Sequence, residues 1–295
     1  GTTSPQATVF GANMTSLTFA FSRALARTWK PGDEVVVTRL DHDANVRPWV
    51  LAALDAGATV RFVPFNADDC TLDLDALKAS LNQRTRLVAV GCASNAVGTI
   101  NPVADICRWA HDVGAQVYLD AVHYAPHGLL DVDRWGCDYL ACSAYKFFGP
   151  HVGILWGRPE LLTELPAYKV NPAADTLPEK WMTGTQNHEC IAGVLAAVEY
   201  LADLGRQIQS GDTRRESLSA AFRAITAYER RLCQRLIEGL LRLKRLRVWG
   251  IVDFARFEHR APTTSITHDR LASLQLAEFL AERGIFSWHG NFYAW

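Results

Sequence analysis

Short, uniformly apolar runs alternate with amphipathic stretches through the first two-thirds of the chain. Glu34-Val-Val-Val-Thr38, Val60–Phe65, Arg86–Gly91 and Gln116-Val-Tyr-Leu-Asp120 have the length and composition of strands. Between them, Val46–Ala56, Leu74–Leu81 and Val103–Val113 carry apolar side chains at helical spacing. Gly114 is suited to close the last of these helices. Strands that are apolar throughout, separated by helices, predict a mostly parallel sheet covered on both faces. Tyr139–Ser143 and Val152–Trp156 are joined by a loop instead of a helix, which predicts an antiparallel addition at one part of the sheet.

From about Glu189 the pattern is helical, through Leu204 and again over Ser217–Leu243. Arg247-Val-Trp249, a run over Thr263–Thr267, a helix over Asp269–Arg283 and a strand-like Ile285–Trp288 then make a small α+β unit. The expected organisation is α/β, with a large domain over residues 1–205 and a small C-terminal domain over 206–295. Residue 1 is a glycine and Trp295 follows an aromatic stretch without a stop signal. The chain therefore reads as a fragment, its large domain lacking an N-terminal part and its small domain incomplete, or as a protein unusually short at both ends.

Composition narrows the class without naming a chemistry. Thirty basic and 31 acidic residues leave a net charge of −1, so there is no general attraction to nucleic acid or to an anionic membrane. No apolar run approaches the length of a membrane span. Seven cysteines without a CxxC pair fit reduced thiols in the cytoplasm better than a disulfide framework or a zinc site. No metal is expected.

Three features carry candidate chemistry. Asp120 ends an apolar strand, where a carboxylate could meet a ligand's cationic nitrogen; an ordinary surface turn is the alternative. Lys146 is one of six lysines, and it alone sits among aromatics, in Ser143-Ala-Tyr-Lys-Phe-Phe-Gly-Pro150. Apolar neighbours would desolvate its amine and favour imine formation, although a lysine stem packed on Phe147 has the same pattern. Gly11-Ala-Asn-Met-Thr15 opens an amphipathic helix, whose free N–H groups make a phosphate seat, unless Asn13 is simply an N-cap.

Their order along the chain adds specificity. The glycine turn is followed by Asp41-His-Asp-Ala-Asn45 with Pro48-Trp49, then Ser94-Asn-Ala-Val-Gly-Thr99 with Pro102, then Asp120-Ala-Val-His123, then Ser143-x-x-Lys146 with Gly149-Pro150. This series, over roughly residues 8 to 190, resembles cysteine desulfurases and the related class V aminotransferases, which are fold-type I pyridoxal-phosphate (PLP) enzymes. The resemblance implies that Lys146 binds the cofactor covalently, Asp120 pairs with its ring nitrogen, and His42 stacks on the ring and shuttles protons. It implies further that Asn95 approaches the phenolic oxygen or the substrate carboxylate. Ala12, Asn13 and Ser143 would bind the phosphate. Thr185, in Thr183-Gly-Thr-Gln186, would reach the phosphate of a neighbouring subunit, since such sites form across a homodimer interface. His42 as a solvent-facing loop histidine and Asn95 as a turn residue remain open.

The chain also departs from that family. His123 stands where a glutamine commonly bonds the phenolic oxygen, and Tyr145 where a histidine commonly precedes the lysine; both keep hydrogen-bonding capacity. Ser287–Tyr293 aligns with the loop that carries a substrate-binding arginine and the nucleophilic cysteine, yet reads Trp288 and Tyr293 there. No cysteine follows Cys233, and the family's second carboxylate-binding arginine would lie beyond Trp295. The expectation is a PLP-dependent transferase or lyase acting on an amino acid, in a desulfurase-like subgroup without the nucleophilic cysteine. Trp288 and Tyr293 suggest a bulkier, less polar pocket. A non-catalytic dimerisation or binding module that keeps the fold is the alternative. A nicotinamide oxidoreductase is disfavoured by the missing GxGxxG.

Overall fold

In the computed structural model, which describes residues 1–294, the apolar runs become strands of one seven-stranded sheet. The elements of its layer are β1 (Thr8–Gly11), α1 (Met14–Ala26), β2 (Glu34–Thr38), α2 (Arg47–Ala56), β3 (Thr59–Val63), α3 (Leu74–Ser80), β4 (Thr85–Gly91), α4 (Val103–Asp112), β5 (Gln116–Asp120), α5 (Val132–Trp135), β6 (Tyr139–Ser143), β7 (Gly153–Gly157) and α6 (Pro159–Glu164). There follow α7 (His188–Ile208), α8 (Arg214–Leu241), β8 (Leu246–Trp249), β9 (Ser265–His268) and α9 (Ser273–Ala281).

The strand order is β1-β7-β6-β5-β4-β2-β3. The strands from β6 to β3 run parallel, whereas β7 runs antiparallel to both β6 and β1. Continuous apolar character has its expected cause: all residues of β2 and β6 are buried, because helices cover both faces. The edge strand β3 instead alternates in exposure. It stops at Val63, short of the expected Phe65, because Pro64 has no N–H to continue the ladder. Glu34 is buried in β2 and is neutralised by Arg61 at 3.0 Å and Arg84 at 2.8 Å.

The helices α1 and α2 seat on the sheet through aromatic packing. The Tyr118 ring lies 4.8 Å from Trp49 and 6.0 Å from Phe21, and its hydroxyl meets Thr18 Oγ1 at 2.7 Å. Beyond the sheet, α7 and α8 pack closely at Gly205, where a Cβ would stand 1.8 Å from the Ser217 carbonyl oxygen. Thr213 and Glu216 form a capping box that starts α8. Phe222 of α8 belongs to the main core, while Cys233 and Ile237 join Val248 and Phe257 in a second, smaller core.

Three differences from the sequence reading have physical reasons. The strand β1 was not expected, because four residues ending in glycine carry little pattern of their own; it forms by pairing with β7. Ile285–Trp288 forms no strand and is largely solvent-facing, with Phe286 95% exposed; an apolar tetrad without a partner has no ladder to join. The helix expected over Asp269–Arg283 is confined to Ser273–Ala281. Among the described residues, no helix is long and apolar enough to cross a membrane.

Candidate active site

The carboxyl ends of β4, β5 and β6, with the loop after β2, converge on a cleft of about 460 Å³. Such strand ends are where an open α/β sheet gathers functional groups, because the chain turns there and side chains need not fill a core. The lining includes Met14, Asp41, His42, Asn95, Asp120, His123, Ser143, Tyr145 and Lys146, with Trp288, Phe292 and Tyr293 on one side.

Asp120, the last residue of β5, is 8% exposed and accepts the Val122 N–H at 2.8 Å. Burial pushes its carboxyl up to about 6, against the Val122 N–H and the positive charge of Lys146. Lys146 enters on the turn after β6, with its amine 5.5 Å from the centre of the Tyr145 ring. Its side chain is exposed, which corrects the expectation that aromatic neighbours desolvate it: Phe147 turns into the core and Phe148 into solvent. Tyr145 stacks on His151 at 4.9 Å.

His42 follows Asp41 on the loop after β2. Its Nδ1 accepts the Ala44 N–H at 3.0 Å, which leaves the ring proton of the neutral form on Nε2. Burial holds its pKa below the usual histidine value. His123 is held more strongly: burial, then His127, then Lys146 lower it to about 3, so it is neutral at physiological pH. His123 Nε2 meets Thr263 Oγ1 at 2.7 Å, and its ring lies 5.4 Å from that of His127. His127 Nδ1 in turn meets the Glu229 carboxylate of α8 at 2.9 Å.

At the start of α1, Ser143 Oγ accepts the Met14 N–H at 3.0 Å, so its own proton is free to donate. The Asn13 side chain accepts the Ser16 N–H at 2.9 Å, as an N-cap. Met14 and Thr15 face the cleft; Ala12 opens onto a neighbouring depression. Thr185 lies in that second depression with Ala12 and does not line the cleft within this chain. The Asn95 Nδ2 donates to the Phe292 carbonyl at 2.7 Å, while Oδ1 is buried without a partner.

Sequence reading did not assign Asp41, Met14, Thr15 or Phe292. Asp41 carries the same signal as Asp120, an acid just beyond an apolar strand, and was legible on that ground. The Asn291–Ala294 segment was not. It reaches the cleft through the Asp43 N–H, which donates to the Tyr293 carbonyl at 2.7 Å, and the Tyr293 ring rests 5.4 Å from His42. Nothing in its own pattern specifies those partners.

The family model for class-V aminotransferases matches residues 1–292. A cysteine desulfurase of Dickeya dadantii is 33% identical over 271 residues, covering 87% of this chain and 60% of the relative. An aminotransferase-like protein of Gibberella zeae is 31% identical over 274 residues, covering 92% of this chain and 64% of that protein. The chain thus spans somewhat under two-thirds of the length of these relatives. The crystal structure of the cysteine desulfurase CsdA from Escherichia coli superposes with a TM-score of 0.83 at 26% identity, over 98% of this chain and 70% of that one.

Proposed function

This chain belongs to the class-V aminotransferase family, and we propose that its cleft binds pyridoxal phosphate and acts on the amino group of an amino acid. The family is PLP-dependent. The donor set fits that cofactor. Asp120 offers a buried carboxylate to a cationic ring nitrogen, and Ser143 has a hydroxyl proton to give to a phosphate. The observation that carries the proposal is the convergence of Lys146 and buried Asp120 on one cleft.

When bound, PLP supplies an electron sink for charge left at the substrate α-carbon. The chain's own residues do the rest. The Lys146 amine would hold the cofactor covalently and, once displaced by the amine of an incoming amino acid, would take the α-proton at Nζ, while His42, whose Nε2 carries the ring proton, can donate one. Asp120 keeps a proton on the ring nitrogen through a charge-assisted hydrogen bond. His42 covers the ring face. Ala12 and Asn13 at the start of α1 seat the phosphate with Ser143, and Met14 and Thr15 of the first turn line the cleft beside them. Tyr145 and neutral His123 are hydrogen-bonding groups at the rim.

Desulfuration, β-elimination, transamination and racemisation all begin with this α-proton removal. Among the described residues the cleft lining contains no cysteine, and Cys233 is buried in the second core. Those two facts favour a reaction without a thiol nucleophile from this chain. The same reading takes the active form as a cytoplasmic homodimer in which Thr185 serves the partner's phosphate. It takes residues 1–205 as the cofactor-binding domain and 206–295 as the small one.

Adding PLP to the purified protein should produce a visible absorption band that borohydride bleaches, and Lys146→Ala should lack it. The loaded sample should sediment as a dimer. A protein that stays colourless would sink the enzymatic reading and leave a fold kept for binding or dimerisation.

A further inference from the structure

One side of the cleft differs in chemistry from its floor. The floor carries Lys146, Asp120 at the end of β5, and Asp41, whose Oδ1 accepts at 2.7 Å the N–H of Gly91, the β4 residue opposite Asp120. The side formed by Trp288, Phe292 and Tyr293 is aromatic. Trp288 and Tyr293 are 79% and 70% exposed although they line the cleft. Aromatic faces that meet water beside a few convergent charged groups are the lining of a ligand site.

The backbone holds these rings in place at a cost. Phe292 and Tyr293 have φ of +55° and +54°. Two consecutive bulky residues in the left-handed region are strained, and such strain persists where the surroundings over-determine it. Four hydrogen bonds do so here. Within the turn, the Tyr293 N–H donates to Asn291 Oδ1 at 3.0 Å and the Ala294 N–H to the Asn291 carbonyl at 2.9 Å. Outward, Asn95 Nδ2 donates to the Phe292 carbonyl and the Asp43 N–H to the Tyr293 carbonyl, each at 2.7 Å. Both outer anchors stand on loops that supply the cleft itself, Asn95 on the loop after β4 and Asp43 next to His42. The Tyr293 ring also borders a neighbouring depression of about 310 Å³ with Phe19 and Arg47, so it stands between that depression and the cleft.

We propose that the turn over residues 291–294 is the specificity wall of the cleft, and that its substrate is an amino acid with an aromatic side chain. The ring of that side chain packs against Tyr293, Phe292 and Trp288, while the amino group goes to the polar floor. This substrate class rests on the amino-acid reading of the cleft given above.

The test is a spectral titration of the PLP-loaded protein with L-phenylalanine, L-alanine and L-glutamate, which share the reacting end and differ in the side chain. Half-saturation by phenylalanine should come at a concentration about tenfold or more below that for alanine, with glutamate no better than alanine. Tyr293→Ala should bring phenylalanine and alanine together, and Tyr293→Phe should keep them apart. Equal half-saturation for phenylalanine and either other amino acid, or a preference undiminished in Tyr293→Ala, would overturn the proposal. Should Tyr293→Ala not fold, Trp288→Ala makes the same comparison at a side chain that is 79% exposed. A protein that shows no visible band with PLP refutes the cofactor reading, and the wall is then decided on the unloaded protein by saturation-transfer NMR. Transfer to the phenylalanine ring protons that Tyr293→Ala lowers would support the wall, and no transfer would overturn it.

Discussion

A neutral histidine beside a lysine amine is a liability when the solution is acidified. His123 has a folded-state pKa of about 3 against an ordinary 6.5, so the unfolded chain binds the extra proton. Its contribution to stability is complete above pH 6.5 and is lost as the pH falls from there toward 3. His123→Gln keeps the hydrogen bond to Thr263 and removes the titration. Urea unfolding between pH 6.5 and 4 should show that variant losing up to about tenfold less in folding equilibrium per pH unit than the parent. An equal acid loss in both would place the burial penalty elsewhere. At this scale Asp120 and Lys146 were legible, because each directly follows or ends an apolar strand. The exposure of Lys146 was not, because the directions of Phe147 and Phe148 depend on a turn with Phe148 at a φ of +70°.

At the scale of elements, the loop after β4 that carries Asn95 is braced by a distant segment. The Ile100 N–H donates to the His259 carbonyl at 2.8 Å, and the Ala261 N–H to the Gly98 carbonyl at 2.7 Å. Gly98 has a φ of +78°, and a Cβ there would stand 2.6 Å from the Ala261 oxygen. Gly98→Ala therefore combines a disfavoured backbone with a backbone clash, and should destabilise by more than the roughly 1 kcal/mol that the same replacement gains in a compatible conformation. Because the strain falls beside Asn95, PLP affinity measured by absorbance titration should fall along with the denaturation midpoint. A variant with lowered stability and undiminished affinity would show that the brace does not position Asn95. The elements themselves were largely readable: β5 and β6 match their expected bounds, and α2, α3 and α4 differ by a residue.

The whole molecule is held by two cores that α8 joins. Ile237 is fully buried in the smaller one, so Ile237→Ala should cost about 2–5 kcal/mol from lost contacts and the cavity left behind. Hydrogen exchange should quicken in the C-terminal half of α8 and in β8 while the β5 amides keep their protection. Uniform acceleration through β5 would show the two cores to be one cooperative unit. The amino-acid pattern alone determined the α/β layering, since Val-rich runs too apolar for a water-facing sheet demand helices on both faces. It also determined which residues stand at strand ends, and with them Asp120 and Lys146. Only the tertiary structure decided that Asp41 and Asp120 share one floor across Gly91. The same holds for Met14 and Thr15 taking the cleft edge ahead of Ala12, and for Tyr293 coming to rest against His42. Local periodicity reports which face of an element is buried; it carries no information about which distant residue that face meets.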